Sequence, residues 1–257
     1  MLGFYLRERQ TEKTFMRKEE IRQRIAHTDT FIVGSSMNGL GMEFSDLDLT
    51  IEQKLEARDS MRKQRRPKEI LKVLKKFIMQ DFETDVAIIS SGNDSYLKFI
   101  DESGIAVKVF VNRSNSVGSS KLLKSYTRLD RRVAPLIVVV KCWGRSSGLS
   151  CTKDLLNGYS LSLMAIHFLQ SGCHPAVLPS LQILAPAAFN NFEFPFIDDE
   201  PPNFISENDE SIGKLLLELF EFYSYRFRFA EDIISVREGQ PIPKHECEND
   251  PNAEFKT

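Results

Sequence analysis

Short apolar runs and helical repeats alternate along the chain. From Met16 to Ile25 apolar residues recur at helical spacing, ending near the polar cluster Thr28-Asp29-Thr30. Phe31-Ile32-Val33 is a brief apolar run that stops at Gly34 and predicts a buried strand. Asp46 to Ile51 alternates polar and apolar residues, as a half-buried strand does. Glu69 to Met79 returns to helical spacing through Ile70, Leu71, Val73, Leu74 and Phe77. Val86–Ile89 and Ile105–Val111 predict two more strands, joined across the turn cluster Ser91-Gly92-Asn93-Asp94. From Ser119 onward the pattern is helical, over Lys121–Leu129, Arg132–Arg145 and Leu155–Gln170. Asn157 is a candidate N-cap that would delay the start of the last of these. The proline-rich stretch from 175 to 203 predicts an irregular connection, and Ser211–Phe229 a final amphipathic helix. This order predicts an α+β fold. A small mixed-sheet lobe, residues 28–118, is inserted into a helical lobe, residues 1–27 and 119–257, with a cleft between them.

Composition narrows the class. The 257 residues are 42% hydrophobic and 27% charged, enough apolar material for a core without disulfides or a structural metal. The longest strongly apolar run, Val133 to Val140, is too short to cross a bilayer, so no membrane partner is expected. The N-terminal segment is charged throughout and lacks a signal peptide's apolar stretch, which gives the expectation of a cytoplasmic protein, with the nucleus or RNA granules as alternatives. The four cysteines include no CxxC pair, and His27, His167, His174 and His245 show no metal spacing. A net charge of −2 does not announce a nucleic-acid binder, although a local basic patch is compatible with it. Arg58 to Lys76 is such a stretch, readable as an RNA backbone contact or as a solvated loop and helix face.

The residues that carry chemistry are Gly34-Ser35 and, further on, Asp46-Leu47-Asp48. Two Asp at alternate positions of a strand project from one face. Carboxylates held that way suit Mg²⁺ or Mn²⁺, with substrate phosphates completing the coordination. Gly34 allows close approach of a phosphate, and Ser35 offers a hydroxyl and an amide. Together they suggest a nucleoside triphosphate seat beside a metal site. A solvated strand edge or a glycosyltransferase would show the same Asp-x-Asp, and no P-loop motif occurs anywhere in the chain.

The segment FIVGSSMNGLGMEFSDLDLTI resembles the signature of the DNA-polymerase-β-like nucleotidyltransferases. Within them it is similar to the cytoplasmic poly(A) polymerases and terminal uridylyltransferases. LLKSYTRLDRRVAPLIVVVKCWGRSSGL, LLNGYSLSLMAIHFLQ and EDIISVREG resemble three further blocks of that family, in the same order. The resemblance implies template-independent addition of AMP or UMP to an RNA 3′ end, with release of pyrophosphate. By position it assigns Asp46 and Asp48 to metal and catalysis. It assigns Gly34, Ser35, Ser119, Ser120, Lys141 and Arg145 to the nucleotide, with Tyr159 stacking on its base. It also implies a separate RNA-binding protein as partner, and the lack of a recognisable RNA-recognition, KH or zinc-finger module agrees with that. The choice between ATP and UTP stays open.

Departures from the family pattern are concentrated at ligand positions. The third metal-binding Asp of the family corresponds to Lys108, in GIAVKVFVN. A lysine there would neutralise Asp46 and Asp48 and fill the electrostatic place of one metal ion. The family's paired asparagines are Asn112-Arg113, its Asn-Thr near the sugar is Ser119-Ser120, and its Ser-Ser before the tyrosine is Asn157-Gly158. Asp85, on the neighbouring strand, is a candidate replacement carboxylate. Two functions follow: an RNA 3′-terminal nucleotidyltransferase, or a catalytically inactive relative that binds RNA or acts as a scaffold.

Overall fold

The computed structural model describes residues 1–25, 29–52, 67–91, 94–149, 156–189 and 202–247. His27, Cys151, the basic residues 58–66, residues 190–201 of the proline-rich stretch and the C-terminal 252–257 lie outside the described residues. Helix α1 (Leu2–Glu8) and helix α2 (Glu12–Ile25) precede strand β1 (Thr30–Val33) and strand β2 (Leu47–Ile51). Helix α3 (Pro67–Asp81) leads to β3 (Ala87–Ser91), β4 (Asp94–Ile100) and β5 (Ala106–Val111). Then come α4 (Ser114–Leu129), α5 (Val133–Ser146) and α6 (Gly158–His167). Two short helices, α7 (Leu181–Leu184) and α8 (Pro186–Phe189), lie where the sequence predicted only irregular chain, and α9 (Ile212–Glu221) follows. The fold is α+β, as the sequence predicted.

The five-stranded sheet has the order β1-β2-β5-β4-β3. Only the β2–β5 pair is parallel, and it sets Asp48 opposite Lys108. Strand β4 is an addition to the expected strands: it pairs antiparallel with β3 on one side and with β5 on the other. The side-chain alternation sorts the sheet into two faces. Leu47, Leu49, Leu97, Phe99, Val107 and Val109 form one apolar face, packed with Ile21 and Ile25 of α2 and Leu71 and Ile78 of α3. The other face carries Asp48 on β2, Lys108 and Phe110 on β5, and Tyr96 on β4.

Among the described residues the chain forms two compact units. One is Glu8–Lys124; the other joins Met1–Arg7 to residues 125–189 and 202–247. This division differs from the expected 28–118 lobe at both ends. Helix α2 belongs with the sheet because Ile21 and Ile25 are part of its core. The first turns of α4 stay there too, because the Arg113 amide donates to Thr50 Oγ1 and Ser120 Oγ accepts from the Gly34 amide.

In the helical unit α5 and α6 cross closely at Gly144. A Cβ there would stand 2.5 Å from Leu161 Cδ1, so a larger residue would require the buried Leu161 side chain to shift. Asn157 caps α6, its Oδ1 accepting from the amides of Tyr159 and Ser160, as the sequence predicted. Tyr126 is fully buried; its hydroxyl accepts from Gln170 Nε2 at 3.0 Å and from the Leu181 amide at 3.1 Å. Among the described residues no helix is long and apolar enough to cross a membrane.

Candidate active site

The site begins with a turn that only glycine adopts easily. Strand β1 ends at Val33, and Gly34–Ser36 form a single 3₁₀ turn. Gly34 has φ +70°, a conformation costly for residues with a Cβ. A Cβ at Gly34 would also lie 3.1 Å from Asp48 Oδ2. The missing side chain therefore lets the turn sit directly against the carboxylate. Val33 pairs with Asp48 across the β1–β2 ladder, which fixes this neighbourhood by backbone register.

Asp46 stands immediately before β2 and Asp48 on it, each partly exposed, with side-chain accessibilities of 41% and 30%. Lys108 reaches both. Its Nζ is 2.6 Å from Asp46 Oδ2 and 4.0 Å from Asp48 Oδ1. Burial alone would lower the Lys108 pKa. The hydrogen bond to Asp46 and the charges of Asp48 and Asp46 outweigh that and hold it above the usual lysine value. The ammonium expected from the sequence thus meets both carboxylates.

Asp85 does not take the place of a third carboxylate. It is exposed and lies two residues before the edge strand β3, which β4 separates from β5. Among the described residues no group of three or more His, Cys, Asp and Glu side chains is arranged to hold a metal. Two carboxylates fit one Mg²⁺-like ion that takes its other ligands from water and phosphate. Beside them stands the Lys108 ammonium and, among the described residues, no third carboxylate that could help to hold a second ion.

Around the turn, the two serines of α4 behave differently from each other. Ser120 is buried, donates to the Ser116 carbonyl at 2.6 Å and accepts from the Gly34 amide at 2.8 Å. It braces the glycine turn. Ser119 donates to the Asn115 carbonyl and remains half-buried. Ser35 is half-buried at the centre of the turn.

A residue with no signal of its own in the motifs completes the turn from behind. Lys18 of α2 is fully buried. Its Nζ donates to Gln10 Oε1 at 2.8 Å, Ser36 Oγ at 2.9 Å and the Ser45 carbonyl at 2.8 Å. Burial pushes its pKa down to about 8, against the smaller upward pull of Asp46, Glu43 and Asp48. The readable signal was periodicity: Phe15, Lys18, Ile21 and Ile25 share one helical face.

In the helical unit, Lys141 and Arg145 stand one turn apart on α5, the first half-buried and the second exposed. A Cβ on Gly158 would come 3.2 Å from Lys141 Cε, so this glycine leaves room for the lysine stem. Tyr159 is 41% exposed at the start of α6, and Trp143 packs edge-on against Phe220.

The sequence matches two families. Residues 1–128 match “Poly(A) RNA polymerase, mitochondrial-like, central palm domain”, and residues 211–256 match “Cid1 family poly A polymerase”. The chain is 32% identical to Poly(A) RNA polymerase GLD2-B of Xenopus laevis over 238 residues, covering 88% of this chain and 45% of that protein. It is 30% identical to human Poly(A) RNA polymerase GLD2, covering 88% of this chain and 49% of that one. Among solved structures, a GLD-2/RNP-8 complex superposes with a TM-score of 0.77 at 26% identity, covering 94% of this chain and 78% of that chain. The chain thus spans about half the length of the curated relatives it matches.

Proposed function

Because the chain belongs to the poly(A) polymerase and terminal uridylyltransferase family of nucleotidyltransferases, we propose that it is an RNA 3′-terminal nucleotidyltransferase. The observation that carries this reading is the packing of the Gly34-Ser35 turn against Asp48, with Asp46 alongside. In the reaction the RNA 3′-hydroxyl attacks the α-phosphorus of ATP or UTP and loses its proton. The bond from that phosphorus to the pyrophosphate oxygen breaks, so the RNA gains one AMP or UMP and pyrophosphate leaves.

Ser35 contacts the triphosphate, and Gly34 gives it room. Asp46 and Asp48 would hold one Mg²⁺ or Mn²⁺, which supplies charge neutralisation on the triphosphate when bound. Lys108 balances part of the Asp46 and Asp48 charge. For Lys141 and Arg145 with phosphates, Ser119 near the sugar and Tyr159 with the base, the assignment rests on family resemblance, with Arg145 and Tyr159 exposed and Lys141 and Ser119 half-buried within their own units. A partner protein that brings RNA belongs to the same reading, supported by the relative solved as a complex. So does a cytoplasmic location.

The 2.6 Å contact between Lys108 and Asp46 favours a second reading, in which nucleotide and RNA bind without transfer. Primer extension separates the two. A short RNA is incubated with Mg²⁺ or Mn²⁺ and each nucleotide in turn, beside the Asp46→Ala/Asp48→Ala variant. Extension by the wild-type chain that disappears in the variant supports the polymerase. Nucleotide binding without extension, lost in the variant, supports the binding protein.

A further inference from the structure

The loop from Gly34 to Asp46 carries the two halves of the proposed nucleotide seat at its opposite ends. Ser35 lies at the beginning and Asp46 at the close. The β1–β2 ladder pairs Val33 with Asp48 just outside the loop, but no strand pairing holds Ser36 to Ser45 within it, since a 3₁₀ turn starts the loop and β2 begins only at Leu47. The tie is Lys18. One of its ammonium hydrogens goes to Ser36 Oγ and another to the Ser45 carbonyl, one residue from each functional side chain. The third goes to Gln10 Oε1. Gln10 then extends the clamp to the middle of the loop: its amide donates to the Gly41 carbonyl at 2.8 Å and its Nε2 to the Ser36 carbonyl at 3.2 Å. Ser36 Oγ closes the circuit by donating to the Asp46 carbonyl at 3.3 Å.

An ammonium with no solvent exposure is costly to bury, and here all its bonds go to uncharged acceptors. An apolar side chain at this position on the Phe15–Ile21–Ile25 face would fill space without that cost. What it could not do is bond both ends of the loop at once. We infer that Lys18 is a positioning residue that fixes the spacing between the Ser35 turn and Asp46. This rests on reading the loop as a triphosphate seat. The ammonium touches neither nucleotide nor reacting atoms; it acts through Ser36 and Ser45.

The test uses the full chain and the variants Lys18→Met and Ser36→Ala, with Lys72→Met on α3 as an exposed control. Hydrogen exchange is followed in the peptides covering residues 35–46 and in those covering β4 and β5. The dissociation constant of a fluorescent N-methylanthraniloyl-ATP with Mg²⁺ is measured in parallel. The inference expects exchange in 35–46 to rise at least tenfold in Lys18→Met and about threefold in Ser36→Ala, with β4 and β5 unchanged. Nucleotide affinity should fall about tenfold in Lys18→Met and about threefold in Ser36→Ala. The combined variant should fall short of the product of the two single effects, because the two residues share one bond while Ser36 keeps a second bond to the Asp46 carbonyl. Unchanged exchange in 35–46 overturns the inference. So does faster exchange everywhere in Lys18→Met with none in Ser36→Ala, which would mark a purely structural lysine. Should Lys18→Met fail to fold, Ser36→Ala alone decides by the same criterion. If the wild-type chain binds no nucleotide, the triphosphate reading falls, while loop exchange still decides whether Lys18 fixes the spacing.

Discussion

Two lysines stand on opposite sides of the same pair of carboxylates, and their surroundings differ in almost every respect. Lys108 faces them from the open side of the sheet, partly exposed, and donates to Asp46 itself. Lys18 lies behind the loop, fully buried, and donates to a hydroxyl, a backbone carbonyl and an amide oxygen. The first is held above its ordinary pKa by the carboxylates it meets, despite burial; the second is pushed down to about 8 by burial. Equal charge therefore does unequal work. In front, the lysine changes the charge available to a ligand. Behind, it shapes the backbone that presents the ligand's contacts.

The comparison can be broken most severely from the front. Gly34→Ala would place a Cβ 3.1 Å from Asp48 Oδ2 in a left-handed conformation, without touching Lys18. Strain and displacement together should cost about 2–3 kcal/mol of stability. Urea unfolding would register that cost, and nucleotide affinity should fall by more than the stability loss alone explains. A fully stable variant would show that the close approach is unimportant.

Alkaline titration sharpens the contrast from behind. The folded-state pKa of Lys18 lies below the ordinary lysine value, so between about pH 8 and 10.5 the unfolded chain binds more protons at this residue than the folded one. Stability from Lys18 should therefore rise with pH across that window, by on the order of 1 kcal/mol per pH unit. Lys108 has the opposite sign, its contribution being lost as pH rises through its elevated folded value. Urea midpoints from pH 7.5 to 9.5 should climb more in wild type than in Lys18→Met. Parallel curves would remove the assigned burial effect. The smallest change is Ser120→Ala, which leaves the Gly34 amide without its acceptor and should cost about 1 kcal/mol.

Much of the front of the site was legible in the sequence, because it depends on local pattern. Asp46-Leu47-Asp48 alternates visibly, Gly34 ends an apolar run, and Asn157 precedes its helix as a cap should. Lys108 stands out only through the family resemblance, and the β2–β5 register sets it opposite Asp48. The back of the site depends on packing between distant segments. Lys18 sits among Arg17, Glu19, Glu20 and Arg22, where its own charge disguises a buried position. Only its spacing from Phe15, Ile21 and Ile25 marks it as core. Strand β4 escaped for a related reason: Ser95-Tyr96-Leu97-Lys98-Phe99 does alternate, but the turn cluster before it drew the next strand on to Ile105. The unit boundary moved because α2 is amphipathic toward the sheet, and amphipathicity alone does not say toward what.

We propose that Lys108 stands where the family places a third metal-binding carboxylate, and limits transfer for that reason. The direct measurement is primer extension with Mg²⁺ by equal amounts of folded wild-type and Lys108→Asp protein, each with ATP and UTP. Slow extension by wild type and at least tenfold faster extension by Lys108→Asp are expected, abolished when Asp46→Ala is added. Extension by Lys108→Asp no faster than by wild type would contradict it.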